Sequence, residues 1–271
     1  MRRPTAFAAV SSLAALAALA FLLVPVVAVF ADVPPGRLLD ALGEEAAREA
    51  LWLSLRTSLV AILVIVVVGT PAAYLLASAR RFPGRSLVLT AIELPLVMPP
   101  AVAGIAPLAA FGPKGILGAA VEDAGVELVF QTAGVVVALV FVSAPFFLRA
   151  AIAAFEALDP RLLEAARTLG ADPFRVFATV AVPSARGGLA SGLALAWGRA
   201  LGEFGATLLF AGSLQGVTRT APLEIFSSFS EPGGFTAALA LSAVLILVAA
   251  AILLGVKLVG GERGLPGGEV R

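Results

Sequence analysis

Six long apolar stretches alternate with short polar segments along the chain. Each stretch is long enough for a helix, which rises ~1.5 Å per residue, to cross the ~30 Å hydrocarbon core of a bilayer. The pattern therefore predicts an all-α fold, a polytopic membrane protein with six transmembrane helices. The predicted spans cover residues 6–31, 51–79, 86–111, 128–155, 187–210 and 235–258.

The first stretch permits two interpretations. Arg2 and Arg3 precede it, and the small residues around 29–31 resemble the cleavage site of a secretory signal peptide. Its apolar run is longer than the roughly 7–15 residues of a signal core. This length favours an uncleaved membrane span.

The third stretch contains four prolines, an unusual number for one crossing. Each proline removes a backbone donor and disfavours helix at the residue before it, so the span is predicted to be kinked or broken. Irregular backbone at membrane depth is tolerated only against protein or a water-filled cavity. We expect Pro99 and Pro100 to lie in a translocation pathway or gate, the alternative being a helix merely bent by packing.

A polar connection at 159–183 separates the fourth and fifth spans. Asp159 and Asp172 each stand before a proline, which is the arrangement of a capped helix start. Gly170 is placed to end the first helix and Pro183 to end the second. The pattern predicts two short helices with a sharp turn between them. They could dock a partner, lie half-sunk among lipid headgroups, or form a solvated loop.

Composition and charge agree with a membrane protein. Hydrophobic residues make up 60% of the 271 residues and charged residues 14%, which is too apolar for a soluble domain. Thirteen Lys and Arg residues fall on the side of the N-terminus and four on the other side, so both termini are predicted to be cytoplasmic. The thirteen are Arg2, Arg3, Arg80, Arg81, Arg85, Arg149, Arg161, Arg167, Arg175, Arg186, Lys257, Arg263 and Arg271.

Two charges lie deep inside the fifth span. Arg199 is far from either predicted end, and Glu203 lies one helical turn further on the same face. A charge at this depth is costly and is expected to face protein or water. The pair could be a structural ion pair, or Arg199 could bias a pathway toward anions while Glu203 orients it or acts as a gate.

Several kinds of chemistry are excluded by the residues that the chain lacks. It has no Cys and no His, which excludes disulfides, imidazole catalysis and the usual zinc sites. A phosphate-binding loop needs a Gly-Lys pair, and none occurs. We therefore expect no catalytic residue, metal, cofactor or nucleic-acid partner, and any work driven by ATP must be done by another subunit.

The connection at 159–183 contains a spaced motif, whose residues are Glu164, Ala165, Ala166, Gly170, Val180, Val182 and Pro183. This spacing resembles the EAA motif of ABC importer permeases. In that family the motif forms a coupling helix, which docks in a groove of a separate ATPase subunit. Two valines, Val180 and Val182, stand where the family usually has Ile and Leu.

The resemblance implies that residues 1–271 form a single importer transmembrane domain in the cell's inner membrane. Its partners would be an ABC ATPase dimer and an extracytoplasmic oxyanion-binding protein. Six spans make a small pathway, so we also expect a second copy of the chain, with the pore on the two-fold axis.

Three further stretches are similar to a narrower branch, the permeases for molybdate, tungstate and sulfate. They are "LPLVMPPAVAG" at 94–104, "GRALGEFGATLLFAG" at 198–212 and "GVTRTAPLEIF" at 216–226. The likeness leans toward molybdate and tungstate, but departures at Ser213, Val217 and Arg219 leave the choice of oxyanion open. It implies import of a tetrahedral oxyanion by alternating access.

Three other functions compete with this one. A sulfate or thiosulfate permease of the same family is the nearest alternative. A cation-coupled secondary transporter would predict repeated halves and paired intramembrane acids, and no convincing repeat is found. A membrane-embedded enzyme is disfavoured by the missing His and Cys.

Overall fold

The computed structural model describes residues 6–79 and 82–260, and within them it is helical with no β-strand. The all-α prediction is confirmed. Six of the thirteen Lys and Arg residues on which the predicted orientation rests lie outside the described residues. They are Arg2, Arg3, Arg80, Arg81, Arg263 and Arg271. The helices are α1 Ala6–Ala31, α2 Pro35–Gly43, α3 Glu45–Ser78, α4 Arg85–Val97, α5 Pro100–Phe111, α6 Gly118–Asp123, α7 Thr132–Glu156, α8 Pro160–Thr168, α9 Pro173–Val176, α10 Val182–Ser184, α11 Arg186–Leu201, α12 Gly205–Ala211, α13 Ala221–Ser230 and α14 Phe235–Gly260, with a π-helical turn at Phe177–Ala181.

The helices of membrane-spanning length are α1, α3, α7 and α14 among the described residues. Helices α4 and α5 meet at a bend of 120° and can be counted together as a fifth span. The fifth predicted span is divided into α11 and α12, and neither part alone has spanning length. Four or five spans are thus supported by length and composition, and the six-span assignment stays a prediction.

Helix α7 forms the centre of the bundle, with α3 and α11 packed against it. Phe147 and Ala151 on α7 are almost completely buried. A Cβ atom added at Gly192 on α11 would lie 2.8 Å from the Cβ atom of Ala150 on α7. Glycine is therefore needed on α11 for this close approach.

Helix α1 lies at the edge of the bundle. None of its span from Val10 to Ala31 is buried within the chain, whereas half of the α7 span is. Apart from Ser11 and Ser12 its residues are apolar, which suits a helix surrounded by lipid or by other membrane helices. The helix runs unbroken through Pro25 and the alternative cleavage site at 29–31.

Candidate functional site

Both predicted helix starts in the 159–183 connection are capped by aspartate. The Asp159 Oδ1 atom accepts a hydrogen bond of 3.0 Å from the Arg161 backbone N–H. The Asp172 Oδ1 atom accepts two, from Phe174 at 3.0 Å and Arg175 at 3.1 Å. These bonds satisfy donors that a helix start leaves without internal partners. The capping prediction is confirmed.

The turn between the two helices depends on Gly170. Its φ angle is +83°, in the left-handed region that favours glycine. The Gly170 N–H donates to the Arg167 carbonyl at 2.9 Å, and the Ala171 N–H donates to the Ala166 carbonyl at 3.1 Å. These two bonds form a Schellman motif, which ends α8 and redirects the chain. Gly170 therefore ends the first helix, as predicted.

The motif residues on α8 face outward. Glu164 and Ala165 are exposed, and Ala166 is partly buried. Neither an ion pair nor a side-chain hydrogen bond holds the Glu164 carboxylate among the described residues, and the Thr168 hydroxyl donates to its backbone carbonyl instead. Glu164 is therefore open to a partner molecule.

Large apolar side chains are also exposed on the helix pair. The exposed fraction is 50% for Leu162, 88% for Leu169 and 74% for Phe174. Exposure of three such side chains on a short polar segment is unfavourable in water and typical of a contact surface. The structure therefore favours a docking or interfacial surface over a solvated loop.

An aromatic cluster attaches the helix pair to the bundle. Phe177 follows α9, and its ring centroid lies 5.0 Å from that of Tyr74 on α3 and 6.5 Å from that of Phe155 on α7. Tyr74 and Phe155 also contact each other edge to face at 5.4 Å. A movement of α9 would therefore reach two long helices through packed rings. Sequence reasoning missed this cluster because its members are far apart in the chain.

The prediction that Pro183 ends the second helix is wrong. The chain stays helical through a π turn at Phe177–Ala181, and Pro183 lies in the single turn Val182–Ser184 that leads into α11. The Val182 N–H donates to the Phe177 carbonyl, five residues back. This wider spacing of the hydrogen bonds accommodates a proline, which has no N–H to donate. The helix pair is thus continuous with the fifth predicted span.

Arg199 and Glu203 form the predicted ion pair at the break between α11 and α12. The Arg199 Nη2 atom lies 2.5 Å from Glu203 Oε2, and the Glu203 side chain is 2% exposed. The second carboxylate oxygen, Oε1, accepts a hydrogen bond of 2.6 Å from the Ala206 N–H. Both oxygens of Glu203 are therefore occupied within the chain. This favours a structural role for Glu203, whereas Arg199 remains 32% exposed.

The two broken spans meet. Met98 and Pro99 have extended backbone between α4 and α5, and α5 packs against α12. A Cβ atom at Gly205 would lie 2.6 Å from the Cβ atom of Pro100, and one at Gly104 would lie 2.7 Å from that of Leu209. The fold thus brings the Pro-rich break beside the break that holds Arg199 and Glu203. The helix pair at 159–183 forms a separate site.

Three further ion pairs join residues whose pairing was not predicted. The Arg85 Nη2 atom lies 2.5 Å from Glu156 Oε1, and Arg149 Nε lies 3.6 Å from Glu93 Oε1. Both pairs link α4 to α7, and α4 has no buried residue of its own.

The third pair lies at the other end of the bundle, where Arg219 Nη1 contacts Glu224 Oε2 at 3.3 Å. Arg219 Nε also donates to Ser213 Oγ at 3.2 Å. Two of the three residues that depart from the oxyanion branch, Ser213 and Arg219, are thus bonded to each other. No group of three or more possible metal ligands occurs in the described ranges.

Comparison with known proteins identifies one family, relatives within it, and a solved structure with the same fold. The family of binding-protein-dependent transport system inner membrane components matches residues 69–256. The molybdenum transport system permease protein ModB of Mycobacterium tuberculosis is 43% identical over 237 residues, 87% of this chain and 88% of that protein. The sulfate transport system permease protein CysW of a Synechocystis species is 36% identical over 242 residues, 86% of this chain and 87% of that protein.

The fold is also that of a solved structure, a bacterial alginate ABC transporter in complex with a periplasmic protein bound to an alginate pentasaccharide. The TM-score is 0.72 at 17% identity, and the match covers 92% of this chain and 91% of that one. At this identity the likeness concerns the fold alone.

Proposed function

The chain belongs to the family of binding-protein-dependent transport system inner membrane components, and from this we propose that it moves molybdate or tungstate into the cytoplasm. It is a multi-pass inner-membrane permease of the ABC type, a class in which ATP is hydrolysed by a separate subunit. The observation that carries the choice of cargo is the 43% identity, over 87% of the chain, to a permease named for molybdenum transport.

The helix pair at 159–183 is the docking surface for an ATPase dimer in this proposal. Glu164, Ala165 and Ala166 would contact a groove of the ATPase, and Gly170 would give the pair its angle. Exposure of Glu164 and of the apolar side chains around it supports this role. Pro183 would hold the junction between the pair and α11.

Nucleotide-driven movement would pass from the helix pair to the bundle by two routes. One is the aromatic contact of Phe177 with Tyr74 and Phe155. The other is the direct helical connection through Val182–Ser184 into α11. The first route consists of packed aromatic rings and the second of helical backbone. Neither contains a long loop, so either can transmit a displacement of α9 to the bundle.

The translocation pathway would run beside the two broken spans. Pro99 and Pro100 form one break, and Glu203 holds the other through the Ala206 N–H. Arg199, one-third exposed, would give the pathway a bias toward anions, and Glu203 would hold its guanidinium in place. A doubly charged oxyanion is costly to desolvate, so a weak and wet path suits transport better than a tight cage.

The assembly around this chain would contain a second copy of it, an ATPase dimer and an external oxyanion-binding protein. The distribution of Lys and Arg supports cytoplasmic termini and a cytoplasmic helix pair. The outer loops between α12 and α13 would then face the binding protein. Selectivity would reside mostly in that protein, because the permease path needs only weak contacts.

A sulfate or thiosulfate permease is the second candidate. It is favoured by the 36% identity, over 86% of the chain, to a relative named for sulfate transport. The two candidates predict the same docking surface and differ only in cargo. A comparison of anions therefore separates them.

The test is uptake of molybdate, tungstate and sulfate into vesicles that contain this chain, its ATPase and its binding protein. We expect uptake of molybdate and tungstate that requires both ATP and the binding protein. Sulfate uptake of equal or greater rate would replace the proposal with the second candidate. Uptake that follows an ion gradient without ATP would contradict both candidates. Vesicles with the ATPase omitted serve as the control.

A further inference from the structure

A long apolar groove lies between α3, α11 and α14, and Val182 and Pro183 line it where the helix pair joins α11. Its volume is ≈ 610 Å³. The ring N–H of Trp197 is already bonded to Ser58 Oγ at 3.2 Å, so Trp197 presents only its apolar ring surface to the groove. The other side chains that define it include Val66 and Thr70 from α3, Leu193 from α11, and Ile252 and Val256 from α14.

Among the described residues, one cation, Arg186, belongs to this lining. Arg186, the first residue of α11, is exposed, and its guanidinium has no hydrogen bond or ion pair with any described residue. It follows directly after the turn that connects the helix pair to α11. An unpaired guanidinium beside an apolar groove is suited to an amphipathic ligand with an anionic head, and a phosphate group matches its geometry best.

The length of the groove agrees with one leaflet of a bilayer. From Arg186 to Trp197 the helix advances about 16 Å, which is close to half of the ~30 Å hydrocarbon core. The cation would then lie at headgroup level and the indole ring near the bilayer centre. The side chains of α11 that line the groove between these two ends are apolar, namely Leu189, Ala190 and Leu193.

The groove is also open toward the surroundings of the bundle. Gly255 on α14 lines it, and a Cβ atom added there would have no neighbour within 4 Å. The exposed fractions of Leu253 and Leu254, beside it, are 41% and 58%. A membrane lipid can therefore reach the groove sideways from the bilayer.

We propose that this groove binds one phospholipid of the leaflet on the helix-pair side, with an acyl chain against Trp197 and the phosphodiester on Arg186. Cationic sites beside transmembrane helices on the cytoplasmic side commonly hold anionic lipid headgroups. The lipid would fill the space between α11 and α14 next to Pro183. It would thereby support the helix that receives movement from the helix pair.

The test measures lipid bound to the purified complex of this chain with its partner subunits. The complex is stripped of lipid in detergent and titrated with phosphatidylglycerol, and bound lipid is counted by native mass spectrometry. Two variants change different parts of the site, one the cation and the other the apolar lining. Arg186→Ala removes the phosphate contact, and Gly255→Leu adds a large side chain to the groove lining at a position where a Cβ atom has no protein neighbour within 4 Å. Lys257→Ala is the matched control, since it removes an exposed cation from the same end of α14 without lining the groove.

We expect Arg186→Ala to weaken phosphatidylglycerol binding roughly 10-fold, the effect of losing a hydrogen bond to a charged group. Gly255→Leu is expected to abolish the binding, and Lys257→Ala to leave it unchanged. Equal lipid binding in all three variants would overturn the proposal. So would a change in the oligomeric state of Gly255→Leu with lipid binding retained, because the groove would then be filled by another protein chain.

Discussion

The helix pair at 159–183 is exposed and shaped by bonds between near neighbours, whereas the crossing of α5 with α12 is shaped by contacts between residues far apart in the chain. In the pair, the aspartate caps and the Gly170 turn each join residues at most five positions apart. At the crossing, Pro100 lies against Gly205 and Gly104 against Leu209. The two regions therefore respond to substitution in different ways.

This difference separates stability from activity. A change on the exposed pair removes little packing, so it can impair docking while the bundle stays folded. A change at the crossing alters buried contacts and a buried charge, so it affects folding and the pathway together. Four substitutions test this contrast, and they are given in order of their expected effect on stability.

Glu203→Ala is expected to have the largest effect. It leaves Arg199 without its partner and the Ala206 N–H without its acceptor. Removal of one member of a fully buried pair costs about 3–5 kcal/mol, and because Arg199 is 32% exposed we expect a cost at the low end of that range. The measurement is thermal unfolding of the purified protein in detergent. Glu203→Gln keeps an oxygen for the Ala206 N–H and is expected to fall between the wild type and Glu203→Ala.

The matched control for this pair is Glu231→Ala, which removes an exposed carboxylate at the end of α13. It is expected to leave the unfolding temperature unchanged. If Glu203→Ala unfolds at the wild-type temperature while transport fails, then Glu203 acts in the pathway and its structural role is refuted.

Gly205→Ala is expected to have the second largest effect. Its added methyl group would lie 2.6 Å from the Pro100 Cβ atom, and overpacking of this kind typically costs about 1–3 kcal/mol. Unfolding temperature and transport are expected to fall together. Gly187→Ala on α11 is the control, because a Cβ atom there has no neighbour within 4 Å. Equal stability of the two variants would show that α5 and α12 are not held in close contact.

Gly170→Ala is expected to cost less and to separate stability from activity. The left-handed backbone at +83° costs a residue with a side chain about 1–2 kcal/mol, and this strain is confined to the turn between α8 and α9. We expect an unchanged unfolding temperature of the bundle and a loss of transport relative to ATP hydrolysis. Glu164→Lys, which reverses an exposed charge without touching the backbone, is expected to give the same loss.

Gly125→Ala is the matched control for the strain at Gly170. Its φ angle is +70° and the space around its Cβ position is open, but it lies outside the helix pair, between α6 and α7. Transport is expected to be retained in this variant. Normal coupling in both Gly170→Ala and Glu164→Lys would refute the docking role of the pair.

Asp172→Ala is expected to have the smallest effect. It removes the acceptor of two backbone N–H groups at the start of α9, and loss of such a cap costs about 1 kcal/mol. Hydrogen exchange of the Phe174 and Arg175 amides is expected to become faster while exchange in α7 is unchanged. Asp159→Ala removes a cap with one bonded N–H, so its effect on α8 is expected to be smaller still. Equal exchange rates in the wild type and both variants would mean that packing alone holds the helix starts.

The features of the site that could be predicted from the sequence are those formed by residues only a few positions apart in the chain. Asp159, Gly170 and Asp172 were each assigned the position that the structure shows, because capping and left-handed turns depend on local residue type. The Arg199–Glu203 pair was predicted for the same reason, since its members lie only four residues apart in the chain. The prediction that Pro183 ends the second helix was wrong because a π turn before it changes the spacing of the backbone hydrogen bonds.

The remaining features required distant parts of the chain to meet. The Phe177 cluster and the Arg85–Glu156 pair join residues that no spacing rule connects. The second bond of Glu203 could not be foreseen either, because it depends on a break in the fifth span that has no proline to mark it.

By itself, the sequence determined that the chain is a helical membrane protein with a capped helix pair between two apolar stretches. The length of an apolar stretch, the distribution of Lys and Arg, and the helix-capping residues are local properties of the sequence. Their effects do not depend on how the helices pack against one another. Only the tertiary structure decided that the two broken spans lie against each other and that the helix pair is packed onto α3 and α7. Those contacts depend on the shapes of surfaces that exist only after the helices have packed.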